Sequence, residues 1–400
     1  MRTATVALLA LVGTSIACTT DFDCSLNGLC TAGACTCDSP WGGAACETMI
    51  YKTTPASAKN IWTGDEGLNT WSGPILHDAA ASKYHAIIPV YQHQSLWNVI
   101  YIAHGIADAP TGPYDWASLP NLTHAPTINP GGLVFPNATT GAPVYSVWLA
   151  GDVMVADDAA GPYVTRFKYP GGAGGNPAPS FHNGAFFLTS QDTTQVLSTK
   201  SLDEPWTVYA TVTRPAGGLK YTVEDPFLFF DARGNMHIVN HAYSTSQRTN
   251  CTSSWVSSHF FSADGKVWGH TDQPYSHTVT YSDGTTHSYC TLERPVLTFD
   301  SQGLLTHINL AADLVTQDEG CAARGKGCVD VRVCAPPTLL PSSLPYAPHP
   351  LHPAPSPLSY PVQVPRPRGH GGHCPGRVNA AAAQTCGAKH KCMDAVWYSQ

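Results

Sequence analysis

Five short proline-anchored phrases recur along the chain, and they set the strongest bound on its fold. They read Ser72-Gly73-Pro74-Ile75-Leu76, His124-Ala125-Pro126-Thr127-Ile128, Asn176-Pro177-Ala178-Pro179-Ser180, Glu224-Asp225-Pro226-Phe227-Leu228 and Glu293-Arg294-Pro295-Val296-Leu297. Counted at Pro74, Pro126, Pro179, Pro226 and Pro295, they stand 52, 53, 47 and 69 residues apart. Self-similarity at such a period marks a repeat architecture, in which one supersecondary unit cannot bury its apolar face alone. Roughly 40–50 residues make a four-stranded propeller blade.

Strand patterns follow the phrases. Tyr84 to Tyr91, Ala185 to Thr189 and Met236 to Asn240 occupy the same place in their repeats. Each is preceded by a turn rich in Asp, Asn or Gly, around Asp78, Asn183-Gly184 and Asp231. A second phrase closes the units: Gly112-Pro113-Tyr114, Gly161-Pro162-Tyr163, Glu204-Pro205-Trp206 and Asp264 to Trp268. Two phrases in fixed order predict a mainly β fold, a five-bladed β-propeller over residues 70–334. Residues 47–69 are then a linker that also offers a closing strand for the last blade. Only 12% of residues are charged, and 35 Gly with 33 Pro suit a turn-rich β protein rather than a helical bundle.

The chain opens with Met1-Arg2 and an apolar run from Ala4 to Ile16. That pattern predicts a secretory signal peptide over residues 1–17 and a secreted, extracellular protein. The run is too short to span a bilayer, and no later stretch is long enough, so no transmembrane segment is expected. A lipid-attachment reading at Cys18 competes with plain cleavage. The formal charge of −7 disfavours nucleic acid as a partner. Asn121, Asn137 and Asn250 head N-glycosylation triplets. From Pro336 onward prolines dominate, so residues 335–400 read as a Pro/His-rich disordered tail.

Cys18, Cys24, Cys30, Cys35, Cys37 and Cys46 crowd into one short segment. A domain that small has no core of its own, so cross-links take the place of burial. Spacing alone allows fifteen connectivities, and a zinc site is the competing reading. The spacing, with Trp41 and Gly43 before Cys46, resembles the EGF-like module. That resemblance, covering residues 18–46, implies the pairs Cys18–Cys30, Cys24–Cys35 and Cys37–Cys46, and contacts with extracellular proteins. The pairing of Cys251, Cys290, Cys321, Cys328, Cys334, Cys374, Cys386 and Cys392 stays open.

The repeats resemble the propeller of glycoside hydrolase family 43, the clan of arabinanases and xylosidases. The resemblance rests on Glu224 to Phe229, on His259 to Gly265 and on Glu293-Arg294-Pro295. It implies an oligo- or polysaccharide ligand of plant or algal type and hydrolysis with inversion, in which one carboxyl protonates the leaving group and another activates water. Carried over residue by residue, Glu224 takes the place of the acid. The base expected beside Ser72 is absent, and Asn176 or Ala178 stands where the third carboxylate is expected. Asp225 and Glu293 are the other acids in these phrases, and Asp65 and Glu66 are a substitute source of a base. Adjacent strand residues point to opposite faces, so Glu224 and Asp225 share the channel only across a bulge.

The catalytic candidates are therefore Glu224, Asp225 and Glu293, with a Glu293–Arg294 salt bridge as the bland alternative for the last. Candidate substrate contacts are Trp71, His124, Asn176 and His259. No cofactor and no metal ligand set is expected, although a central-channel ion such as calcium is compatible with the histidines. The leading reading is a glycoside hydrolase. Its rival is a non-catalytic glycan-binding or adhesion protein with a degraded site.

Overall fold

A computed structural model describes residues 17–51, 68–92, 99–116, 129–149, 151–170, 175–215, 218–219, 221–243, 257–281, 283–289, 292–313 and 328–334. The signal-peptide residues 1–16, the linker stretch 52–67 with Asp65 and Glu66, His124 and its phrase, and the tail 335–400 lie outside the described residues.

Antiparallel meanders follow one another around a ring. Sheet 1 places both Leu68–Thr70 and Ile75–Asp78 along Lys83–Gln92, with Val99–Ala107 outside. Sheet 2 runs Gly131–Pro136, Pro143–Leu149, Asp152–Ala156 and Val164–Lys168. Sheet 3 runs Ala178–His182, Ala185–Thr189, Gln195–Thr199 and Thr207–Thr211. Sheet 4 runs Thr222–Phe230, Met236–Tyr243, Ser257–Ser262 and Gly269–Asp272. The fifth phrase opens a sheet of only three strands, Leu292–Phe299, Leu305–Asp313 and Cys328–Cys334. A separate hairpin, Thr278–Thr280 with Thr286–Ser288, lies between sheets 4 and 5 in the chain.

The blade count thus differs from expectation. Among the described residues there are four four-stranded blades, not five. Leu68–Thr70 lies beside Cys328–Cys334, yet its ladder hydrogen bonds go to Lys83–Gln92 of its own sheet. Its pairing places it in sheet 1 and not in the last sheet.

Each inner strand packs on the next. Sheet 2 makes the closest approach: a Cβ on Gly132 would overlap the Pro74 ring, and one on Gly131 would meet the Pro177 carbonyl oxygen at 2.6 Å. The core is a series of inter-sheet clusters. Leu76, Ile87 and Val147 join sheets 1 and 2; Trp148, Phe186 and Leu188 join 2 and 3; Phe187, Leu228 and Ile238 join 3 and 4. Trp148 is thus a core residue. The Gly-Pro-Tyr phrases are one local motif used twice, with Tyr114 donating to Pro110 O at 3.1 Å and Tyr163 to Ala159 O at 2.9 Å.

The N-terminal module carries the three expected disulfides, Cys18–Cys30, Cys24–Cys35 and Cys37–Cys46. It does not hang free. Cys18, Cys24, Trp41, Cys46 and Met49 share one core with Phe229, Val239, Leu297 and Ile308 of the last two sheets. Trp41 stacks on His259 at 5.0 Å between centroids, and Phe22 meets Phe261 at 5.1 Å. Arg233 of sheet 4 donates to Leu26 O and Asp38 Oδ2, each at 2.6 Å. Met49 N donates to Pro274 O at 2.7 Å.

Candidate functional site

Two of the proline phrases fold into the same local shape. In sheet 4 the register steps from Glu224↔His241 to Phe227↔Val239, and in sheet 5 from Glu293↔Ala311 to Val296↔Asn309. Each inner strand therefore holds one extra residue, a β-bulge that re-aims the side chains beside it. The residue before the proline takes a left-handed backbone in both, φ 53° at Asp225 and 49° at Arg294. Asn176 before Pro177 does the same at 68°. Such a backbone is uncommon outside glycine. The structural equivalents are hence Asn176-Pro177, Asp225-Pro226 and Arg294-Pro295. Pro179, the expected marker of the third repeat, lies one step inside its strand Ala178–His182.

The bulges supply the condition that lets neighbouring residues serve one site. Glu224, Asp225, Glu293 and His241 each place one oxygen or nitrogen within 4.8 Å of the others. His241 lies between the two glutamates, Nδ1 3.7 Å from Glu224 Oε1 and Nε2 3.8 Å from Glu293 Oε1. These are charge contacts, too long for hydrogen bonds. Gln191 Nε2 and Tyr243 OH each donate to Glu224 Oε2 at 3.4 Å. Glu224 and Glu293 keep 12% and 18% of their side chains exposed, whereas Asp225 and Arg294 keep only 4% and 6%.

Arg294, which the sequence paired with its neighbour Glu293, forms an ion pair with Asp225, Nη1 to Oδ1 3.4 Å. Its Nη2 also donates to the Pro130 carbonyl of sheet 2. One buried guanidinium thus ties three sheets across the centre of the ring. Burial, aided by Glu224 and Glu293, pushes the Asp225 carboxyl up to about 6 against the pull of Arg294. Burial also works against a charge on His241, but Glu293, Glu224 and Asp225 together outweigh it and raise the imidazole above 6.5.

The other candidates stand apart from this cluster. Asn176 is buried and accepts a hydrogen bond from Asn129. Ser72 is fully buried, and Trp71 is half-buried beside it. His259 has no exposed surface: it sits under Trp41 of the N-terminal module, 3.0 Å from the His237 ring nitrogen. That position contradicts a substrate contact, because the module covers it. His241, Gln191 and Tyr243 are the site residues that sequence reasoning did not single out. The other grouped metal-type side chains among the described residues, Cys18, Cys24 and Cys35, are held in disulfides.

Residues 20–49 match the family model of the Teneurin-like EGF domain. No curated protein sequence matches the chain. The fold is similar to that of an α-L-arabinofuranosidase from Podospora anserina solved with cellotriose, at TM-score 0.50 and 12% identity, covering 73% of this chain and 98% of that one. An endo-arabinase from Bacteroides thetaiotaomicron matches at TM-score 0.44 and 12% identity, covering 71% of this chain and 97% of the other. A thermostable family-43 glycoside hydrolase matches at TM-score 0.42 and 10% identity, over 70% and 91% of the two chains. The chain joins a disulfide-bonded module, matched by the EGF-like family model, to a β-propeller similar in fold to that of the solved arabinofuranosidase.

Proposed function

We propose that the protein is a secreted glycoside hydrolase acting on plant- or algal-type polysaccharide at the Glu224–Glu293 pair. One observation carries the reading. The two partly exposed carboxylates occupy equivalent bulges on adjacent inner strands and converge on one point. Glu224 is the proton donor to the leaving oxygen, held by Tyr243 and Gln191. An oxygen of Glu293 lies within 4.8 Å of one from Glu224. Inversion needs carboxyls about 6.5–9.5 Å apart to admit a water, while double displacement works at about 5–5.5 Å. The close approach of the two groups lies nearer to the second case, so, in place of the inversion that the resemblance implies, we take Glu293 as the nucleophile. It attacks the anomeric carbon as the glycosidic C–O bond breaks. Water, deprotonated by Glu224, then cleaves the glycosyl ester.

The test is incubation with arabinan, xylan and galactan oligosaccharides, with the anomer of the first product read by NMR. A product of retained configuration from the wild type, and none from Glu224→Gln, supports the reading. No product from the wild type refutes it.

The second reading, glycan binding without turnover, draws on Ser72 and Asn176, which stand where the resemblance expects carboxylates. Saturable binding in calorimetry with no product would favour it.

A further inference from the structure

The phrases that close the repeats share a task in three dimensions. At three successive joints between sheets, the aromatic residue of the following sheet's phrase is packed into the joint. Tyr163, before the outer strand Val164–Lys168, lies in the cluster between sheets 1 and 2. Trp206, before Thr207–Thr211, packs on the cluster between sheets 2 and 3, and Trp268, before Gly269–Asp272, on that between 3 and 4. Among the described residues sheet 5 brings no such phrase. Its joint with sheet 4 holds Trp41 of the disulfide-bonded module instead, 8% exposed and preceded, like Tyr163, by a proline.

The match extends beneath the aromatic ring. In sheet 1 His85 faces Ile106 and His104 faces Ile87; in sheet 4 His237 faces Phe261 and His259 faces Val239. The two histidine pairs thus occupy equivalent diagonal positions. They also meet through the same atoms, Nδ1 to Nε2, at 3.1 Å in sheet 1 and 3.0 Å in sheet 4. Tyr163 closes over His104 with 6.0 Å between ring centroids, and Trp41 over His259 with 5.0 Å. Leu76 with Ile87, and Phe229 with Val239, complete the two clusters from equivalent places. Module and phrase therefore fill one kind of seat.

We infer that the module is the closing piece of the ring: its Pro40-Trp41 pair stands in for the closing phrase of the fifth repeat and locks sheet 4 to sheet 5. The partner of this module face is the propeller of its own chain, not a second protein. Leu292 and Leu297 pack in the same cluster and flank Glu293 and Arg294 on one strand, so the lock also backs the strand that carries them. The inference rests on packing and does not depend on hydrolysis.

Amide hydrogen exchange on the full, oxidised chain tests it. Trp41→Ala should speed exchange in Leu292–Phe299 and Leu305–Asp313 as well as in residues 20–49, with sheets 2 and 3 left at the wild-type rate. The expected rise is at least about 100-fold, the local opening that loss of a buried aromatic side chain permits. Tyr163→Ala should give the same pattern in sheets 1 and 2. Trp41→Tyr should lose much less protection than Trp41→Ala, because a tyrosine already fills the equivalent seat over His104. Should Trp41→Ala fail to fold, native-state exchange of the wild type in rising urea carries the test: the module and sheets 4 and 5 should open as one unit. Faster exchange confined to residues 20–49, or a module that opens in urea before sheets 4 and 5 do, overturns the inference. So does a Trp41→Tyr variant that exchanges as fast as Trp41→Ala.

Discussion

Replacing Arg294 by Met removes the charge that ties sheets 2, 4 and 5 together, and its cost can be worked from the geometry. Both partners are nearly buried, with Nη1 and Oδ1 3.4 Å apart. At an effective dielectric of 20, that separation corresponds to an attraction of about 5 kcal/mol. Breaking a buried pair from one side costs about 3–5 kcal/mol, because the surviving charge loses its partner without regaining water. Here the survivor is Asp225, with Glu224 and Glu293 adding repulsion. Arg294→Met should therefore lower the unfolding free energy by about 3–5 kcal/mol, read by urea denaturation with tryptophan fluorescence. In the double variant Arg294→Met/Asp225→Leu, most of this loss should return, since two well-packed apolar groups replace a buried pair at little cost. A single-variant loss below about 1 kcal/mol, the level of a surface pair, would refute the argument. A double variant as unstable as the sum of the singles would do the same.

Other outcomes follow from the same structure. Glu224→Gln should cut hydrolysis by at least about 100-fold while leaving the thermal midpoint near wild type, since general acid catalysis supplies that much; an unchanged rate removes Glu224 from the chemistry. Burial, and then the charge of His85, push His104 from 6.5 down to about 3. The folded state keeps it neutral while the unfolded chain protonates it below 6.5, so its stabilisation is full above that pH and erodes as pH falls toward 3. The urea midpoint of the wild type should then fall more steeply between pH 7 and pH 4 than that of His104→Gln, and equal slopes would count against it. Gly132→Val forces a side chain into the Pro74 ring and should destabilise by about 1–3 kcal/mol in thermal unfolding. Trp41→Ala empties the joint between module and sheet 4 and should cost about 3–5 kcal/mol, exposing residues 18–51 to limited proteolysis; unchanged protease resistance would contradict the docked arrangement.

The repeat phrases made the mainly β propeller legible because turn chemistry and strand period are local properties. The disulfide pairing was legible only through the resemblance to the EGF-like module, since spacing alone leaves fifteen connectivities. The count of strands in the last sheet was not, because ladder partnership depends on which neighbour takes Leu68–Thr70. The bulges at Glu224-Asp225 and Glu293-Arg294 were visible only as a condition, since a left-handed non-glycine residue leaves no mark in composition. His241 was one strand histidine among several, and it gained meaning only once register placed it opposite Glu224. Arg294 reads as the partner of its neighbour Glu293, but the bulge turns it toward Asp225. His259 shows the opposite failure: a strand position that suits a channel is covered by Trp41, 218 positions earlier in the chain.

The docked module also ties the start of the described chain to its last sheets. During synthesis residues 18–46 emerge first, yet the surface that receives them is made last. Arg233 and Leu26, joined by a hydrogen bond, are separated by 207 positions. Contacts that distant form slowly, because a long loop must close before they stabilise anything. Trp41 and Met49 therefore have no surface to pack on until the strands of sheets 4 and 5 have been made. Any nascent chain halted before residue 310 leaves that apolar face without its full partner surface.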